Sequence, residues 1–196
     1  VRGLSEQLHA AERAIDSANA HDPTIIEVRG DTEALALAHG RLAAMWVLRL
    51  APAADDALLL AARAHHLRRW EVPRSSYPDG KAGYLRWRKE QKQRHAHDVE
   101  QLLRECGYED TAILRVQALI RRDNLRTNAD AQVIEDAACL VFIETQLASM
   151  APKFEREHLL EVIRKTAAKM SPAALALVGE LALGEAERGL LADALA

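Results

Sequence analysis

Leucine and alanine recur at helical spacing through almost the whole chain, and strand-like segments are nearly missing. That spacing constrains the fold more than any other feature, because apolar residues at i, i+3, i+4 and i+7 form one face of a helix and no consistent face of a strand. Only Thr24–Val28 has β-like composition, and it is short and lies between Pro23 and Gly30. The expected fold class is therefore all-α. At 196 residues a single compact multi-helix domain spanning 1–196 is expected, large enough to bury a core without staples.

The periodicity predicts eight helices. The first covers residues 3–19, with Leu4, Leu8, Ala11 and Ile15 on one face. Asp31 or Thr32 caps the second, which carries Leu35, Leu42 and Trp46 and is broken by Pro52. A third runs from Asp55 to near Trp70, and a loop rich in Pro, Ser, Asp and Gly follows at residues 71–82. A long fourth helix extends from near Gly83 to Gly107, and a fifth covers 110–122. Asn128 caps a sixth that Pro152 ends, and helices over 155–169 and 172–195 complete the chain.

Cys106 and Cys139 are too few for a disulfide framework, so a reduced, cytoplasmic protein is expected. No apolar run, Ala137–Ile143 included, approaches the roughly 20 residues of a membrane helix. No membrane partner is expected.

Charge is distributed unevenly. The whole chain sums to −3, yet residues 63–94 hold ten basic residues against three acidic ones. Trp70, Tyr77, Tyr84 and Trp87 lie among those charges. Arg68, Arg69, Arg74, Arg86 and Arg88 frame the 71–82 loop, and the planar guanidinium suits phosphate. With Trp70 they form the candidate substrate-binding set; Trp70 and Trp87 also read as anchors packed on the core. Lys89, Lys92 and Arg94 read as a solvated face.

Histidines and carboxylates fall on apolar faces. His39 lies on the line of Leu35, Leu42 and Trp46; His65 and His66 follow Leu58 and Ala62; His95 shares a face with Val99 and Leu102; and Asp136 sits between Val133 and Leu140. Each could be a hydrogen-bonded core residue. Together, imidazoles and a carboxylate from four helices suit a divalent metal such as Fe, Mn, Zn or Ni. The candidate metal ligands are thus His39, His65, His66, His95 and Asp136. His66 is favoured over His65, since neighbours on a helix diverge by about 100°. Glu135 or Asp98 would relay a proton. His9, His21, His97 and His158 are expected on the surface.

The order His39, then the His65–His66 doublet, then Asp136 resembles the HD-domain metal phosphohydrolases, whose ligands run His, His-Asp and a distant Asp. The doublet departs from that pattern by reading His-His. A closer resemblance rests on the run HxxRWxxPRxxYP (His66 to Pro78), with GYLRWR at 83–88, EDAACLVFIE at 135–144 and RKTAAKMS at 164–171. On these residues the chain is similar to the domain-of-unknown-function 4202 family over nearly its whole length. The HD resemblance implies an HD-like helical fold and metal-dependent hydrolysis of a phosphorylated small molecule or nucleotide. A non-catalytic phosphate-, nucleotide- or RNA-binding protein is the alternative, with nucleic acid the less favoured partner. A third reading is an oxygen-activating enzyme on the same scaffold.

Overall fold

The computed structural model describes residues 6–195. The expected residues 3–5 of the first helix, Leu4 among them, lie outside the described residues. The elements run α1 Glu6–Asn19, β1 Ile25–Val28, β2 Asp31–Ala34, α2 Leu35–Leu50, α3 Asp56–Arg63, α4 Gly80–Glu105, α5 Asp110–Arg121, α6 Ala129–Met150, α7 Arg156–Ala167, α8 Pro172–Ala176 and α9 Glu185–Leu195. The all-α expectation holds apart from one small hairpin.

That hairpin corrects the reading of residues 24–34. Val28 pairs with Asp31 and Ile25 with Ala34 in antiparallel register. The two linking residues, Arg29 and Gly30, both have left-handed backbones (φ 54° and 86°), the twist that a two-residue hairpin turn demands. Asp31 and Thr32 are thereby strand residues, not helix caps, and α2 starts at Leu35. Asp22 binds the entry instead, its carboxylate accepting from the backbone N–H groups of Thr24 and Ala36.

α3 is the hub. It packs against α1, α2, α5 and α6, and every residue from Ala57 to Ala62 is buried. A short helix touched on all sides needs apolar residues around its whole circumference, and its sequence DALLLAAR supplies them. Asp55 caps it by accepting from Leu58 N–H. One contiguous apolar core reaches from Leu8 on α1 to Ala194 on α9. Cys106 and Cys139 are both unpaired. Among the described residues no helix is long and apolar enough to cross a membrane.

Two further boundaries depart from expectation. The last helix is interrupted between Ala176 and Glu185, where a 3-10 turn at Val178–Glu180 and Gly184 break the periodic run. More consequentially, α3 stops at Arg63 and not near Trp70. The chain then makes tight turns through residues 64–68, and Arg68 adopts a left-handed backbone (φ 50°). Neighbouring helices hold that strained residue: its N–H donates to Asn19 Oδ1 of α1 (3.1 Å), and Arg94 of α4 donates to its carbonyl (3.2 Å). His65 and His66 therefore stand in a turn beyond the helix.

The end of α3 is also where α2 comes closest. A Cβ on Gly40 would lie 2.5 Å from the Arg63 carbonyl oxygen. Only glycine permits that approach, which brings His39 beside the turn that carries His65 and His66. Gly40→Ala should push the two backbones apart and destabilise the fold by about 1–3 kcal/mol. Urea denaturation would measure this; an unchanged midpoint would mean the crossing is not tight.

Candidate functional site

Four imidazoles meet where α2, the turn after α3 and α4 converge. Ring centroids are 4.0 Å apart for His65 and His66, 5.2 Å for His39 and His66, and 6.1 Å for His66 and His95. His39 and His65 are 5% exposed and His95 1%. His66 alone of the four is not fully buried. The expected divergence of His65 from His66 fails because the pair lies off the helix, so both rings join the cluster.

Burial settles the charge. Desolvation, with the Arg69 guanidinium second, pushes His39 and His95 down to about 3. Desolvation also holds His65 and His66 well below the usual histidine range, aided by Arg122 and His39 for His65 and by His65 and Arg69 for His66. All four rings are neutral at physiological pH.

Neutrality then dictates where each proton sits. Thr145 Oγ1 on α6 gives its hydrogen to the Val141 carbonyl (2.7 Å), so it accepts from His39 Nε2–H at 2.9 Å. His39 Nδ1 is left as an acceptor, and His66 Nδ1–H donates to it across 3.0 Å. The His65 and His95 Nδ1–H groups donate to the carbonyls of Ala62 and Leu67, each at 2.7 Å. Every one of His65, His66 and His95 consequently presents a bare Nε2 lone pair. For His65 and His95 that atom is buried without a hydrogen-bond partner. Carbonyl-oriented imidazoles with a free Nε2 are the usual preparation of histidine for a metal or an electrophile. Among the described residues, however, no group of three or more His, Cys, Asp and Glu side chains is arranged to hold a metal ion as it stands.

Asp136 does not join them. Its carboxylate accepts from Ser171 N–H (2.8 Å), Ser171 Oγ–H (2.6 Å) and Gln132 Nε2 (2.9 Å), fastening α6 to the start of α8. It is nine residues from Thr145, about half a turn around α6 and roughly 13 Å along it. Glu135 is the α6 carboxylate tied to the site. It is buried and pairs with Arg122 at 3.3 Å, and Arg122 acts electrostatically on both His65 and His95. Arg122 also donates to the carbonyls of Leu119, Ile120 and Ile134, which hold it at the end of α5.

The basic residues separate into two groups. Arg74, Arg86 and Arg94 are already engaged. Arg94 pairs with Glu71 (2.5 Å) and Asp98 (3.6 Å), and Arg86 pairs with Glu90 (2.7 Å). Arg74 donates to the carbonyls of Tyr77, Pro78 and Gly80, bracing the loop against α4. Arg68 and Trp70 line a separate surface cleft of about 430 Å³ with Ser17, His21 and Glu71. A second cleft of about 410 Å³, between Tyr77 and Arg94, is likewise lined by none of the four clustered histidines.

Arg69, Arg88 and Lys92 form the other group. Among the described residues no carboxylate lies within ion-pairing distance of any of them. Arg69 stacks on Trp87, its Cζ 4.4 Å from the ring centroid, and burial lowers it to about 10. Arg88 lies over Tyr84 at 5.8 Å. Lys92 is half-buried, not part of a solvated face, and burial together with Arg122 pulls it down to about 8. Sequence reasoning missed Lys92, Arg122 and Thr145. Lys92 was readable in principle, since it precedes His95 by one turn on the line that continues to Val99. His9, His21, His97 and His158 are exposed, as expected.

In chelator-treated protein the neutral imidazoles set a pH dependence. An unfolded histidine titrates near 6.5 and these titrate lower when folded, so the unfolded state binds more protons below pH 6.5. Their stabilising contribution is full above 6.5 and declines as pH falls toward the folded values. Each ring held near 3 should cost on the order of 2 kcal/mol between pH 6.5 and 5. Urea denaturation at both pH values tests this, and His39→Gln should flatten the slope by about one proton.

No curated protein and no solved structure matches the chain. Residues 9–191 match the family described as Domain of unknown function (DUF4202). Since that match includes the histidine turn, the basic face of α4 and the Glu135–Glu144 segment, the chain belongs to this family.

Proposed function

We propose that the protein binds a phosphorylated small molecule, nucleotides included, beside the imidazole cluster and hydrolyses its phosphoester with a divalent cation. One observation carries the reading: the buried, unpartnered Nε2 atoms of His65 and His95, with the His66 ring beside them, adjoin a largely buried Arg69 that has no carboxylate partner among the described residues. Buried cations and orphaned lone pairs are costly unless a ligand satisfies them. A phosphate group meets the guanidinium, and a cation meets the imidazoles.

In this reading His65, His66 and His95 would hold the ion through Nε2. His39 acts at one remove, fixing the tautomer of His66. Arg69 and Arg88 bind the phosphate oxygens and offset charge that develops on them. Glu135, kept ionised by Arg122 despite burial, is the proton acceptor of the site. Asp98 sits with Arg94 and Glu71 and takes no part. A divalent ion of the Fe, Mn, Zn or Ni class, when bound there, would supply a water of lowered pKa and Lewis-acid polarisation of the phosphoryl oxygen. The order of His39, His66 and an α6 carboxylate parallels the HD-type hydrolases, with Glu135 in place of Asp136. The cytoplasmic, reduced setting remains part of the proposal and rests on the two unpaired cysteines.

A second reading is a phosphate-binding protein without metal or catalysis. What favours it is that no three donor side chains yet converge on an ion position.

Elemental analysis of untagged protein, purified without chelator, separates the two. The hydrolase reading expects about one equivalent of a divalent transition metal, lost in His66→Ala and His95→Ala and retained in Asp136→Asn. With that metal, a screen of phosphoesters and nucleotides should find turnover that Arg69→Met lowers by at least about 100-fold. Protein without metal even after reconstitution, yet binding phosphates, would leave only the second reading.

A further inference from the structure

Lys92 carries more than the proposed reaction requires. It lies one helical turn after Arg88 and one before His95, so Arg88, Lys92 and His95 form a single stripe on α4. Arg122 and Glu135 face that stripe from the end of α5 and from α6, and they pair with each other. Their charges cancel locally. Lys169, from the turn after α7, acts on Lys92 from outside and is exposed. Among the described residues around this stripe, three cations remain without an ion-paired carboxylate: Arg69, Arg88 and Lys92.

Outward-facing arginines of the same segment show that acids were available nearby. Glu71, Glu90 and Asp98 are all spent on Arg94 and Arg86. Of the three free cations, Arg69 is next to the imidazoles, acting on His39, His66 and His95. Arg69 stacks on Trp87, the residue before Arg88, and Arg88 acts on both Arg69 and Lys92. The uncompensated charge is an extended array, with Arg88 and Lys92 about 6 Å apart along the helix. A terminal phosphate carries roughly −1.5 to −2 at neutral pH. That charge suits Arg69 and Arg88 and leaves Lys92 unanswered.

We infer that Lys92, one turn along the same stripe from Arg88, forms a second anion subsite, so that the ligand bears two linked phosphates, one at Arg69 and Arg88 beside the imidazoles and one at Lys92. The inference rests on the phosphate-binding reading above and narrows its substrate class to diphosphates and their esters. Hydrolysis would act on the phosphate beside the imidazoles, while the Lys92 subsite supplies binding and register. Lys92 is thus a specificity residue and not a catalytic one.

Calorimetric titration of the chelator-treated full chain at low salt tests this with four probes: inorganic phosphate, pyrophosphate, AMP and ADP. Pyrophosphate and ADP should bind at least about 10-fold more tightly than phosphate and AMP, the effect of one charge-assisted contact. Lys92→Met should erase that preference while leaving phosphate affinity within about 2-fold, and Lys92→Arg should restore most of it. Arg69→Met should weaken all four probes. Equal affinity of wild-type protein for phosphate and pyrophosphate would overturn the inference and leave the phosphate reading standing. So would a uniform loss in Lys92→Met, which marks a diffuse field and not a subsite. Failure to bind any of the four would remove both.

Discussion

Desolvation of four adjacent imidazoles is the constraint on which the rest of the site depends. Charged histidines packed at these distances would repel one another in a medium that cannot screen them, so the folded chain holds them neutral. A neutral imidazole has one N–H and one lone pair, and the carbonyls of Ala62 and Leu67 and the hydroxyl of Thr145 each claim an N–H. The bare Nε2 atoms follow from that arrangement with no further assumption. The free lone pairs are a consequence of which acceptors the fold leaves open.

The Ala62 carbonyl is open to His65 because α3 ends early. A helix continuing to Trp70 would have used the carbonyls of residues 62–66 in its own ladder and fanned His65 and His66 apart. Instead the chain turns at Arg68, held by Asn19 and Arg94 from two other helices. The close crossing at Gly40 then sets His39 against the turn. Local strain in the loop is offset by contacts elsewhere in the core, a common arrangement where function needs an irregular backbone.

Buried charge is treated differently at Glu144 and beside the imidazoles. Glu144, whose side chain is wholly buried, accepts from Arg29, from Trp46 Nε1 and from the Ala182 N–H, joining the hairpin, α2 and the stretch before α9. Each carboxylate oxygen there has a donor, and the group reads as structural. Near the imidazoles the reverse holds, with cations that lack acids and nitrogens that lack donors. This contrast separates a fastening from the proposed binding site more clearly than charge density along the sequence does.

By itself the sequence determined the helical class, the core faces of α1, α2, α5 and α6, and the inward direction of His39 and His95, because a period near 3.6 fixes which residues share a face. It also determined family membership, through the run from His66 to Pro78, and it marked residues 63–94 as the unusual segment. Only the tertiary structure decided which of those basic residues are free, because pairing depends on acids brought from distant helices. It likewise decided that Asp136 fastens α8 while Glu135 faces the cations. Adjacent residues on one helix are about 100° apart, and periodicity placed Asp136 correctly toward the core. What periodicity could not state is which part of the core it meets, for that is set by how helices cross and not by the face each one presents.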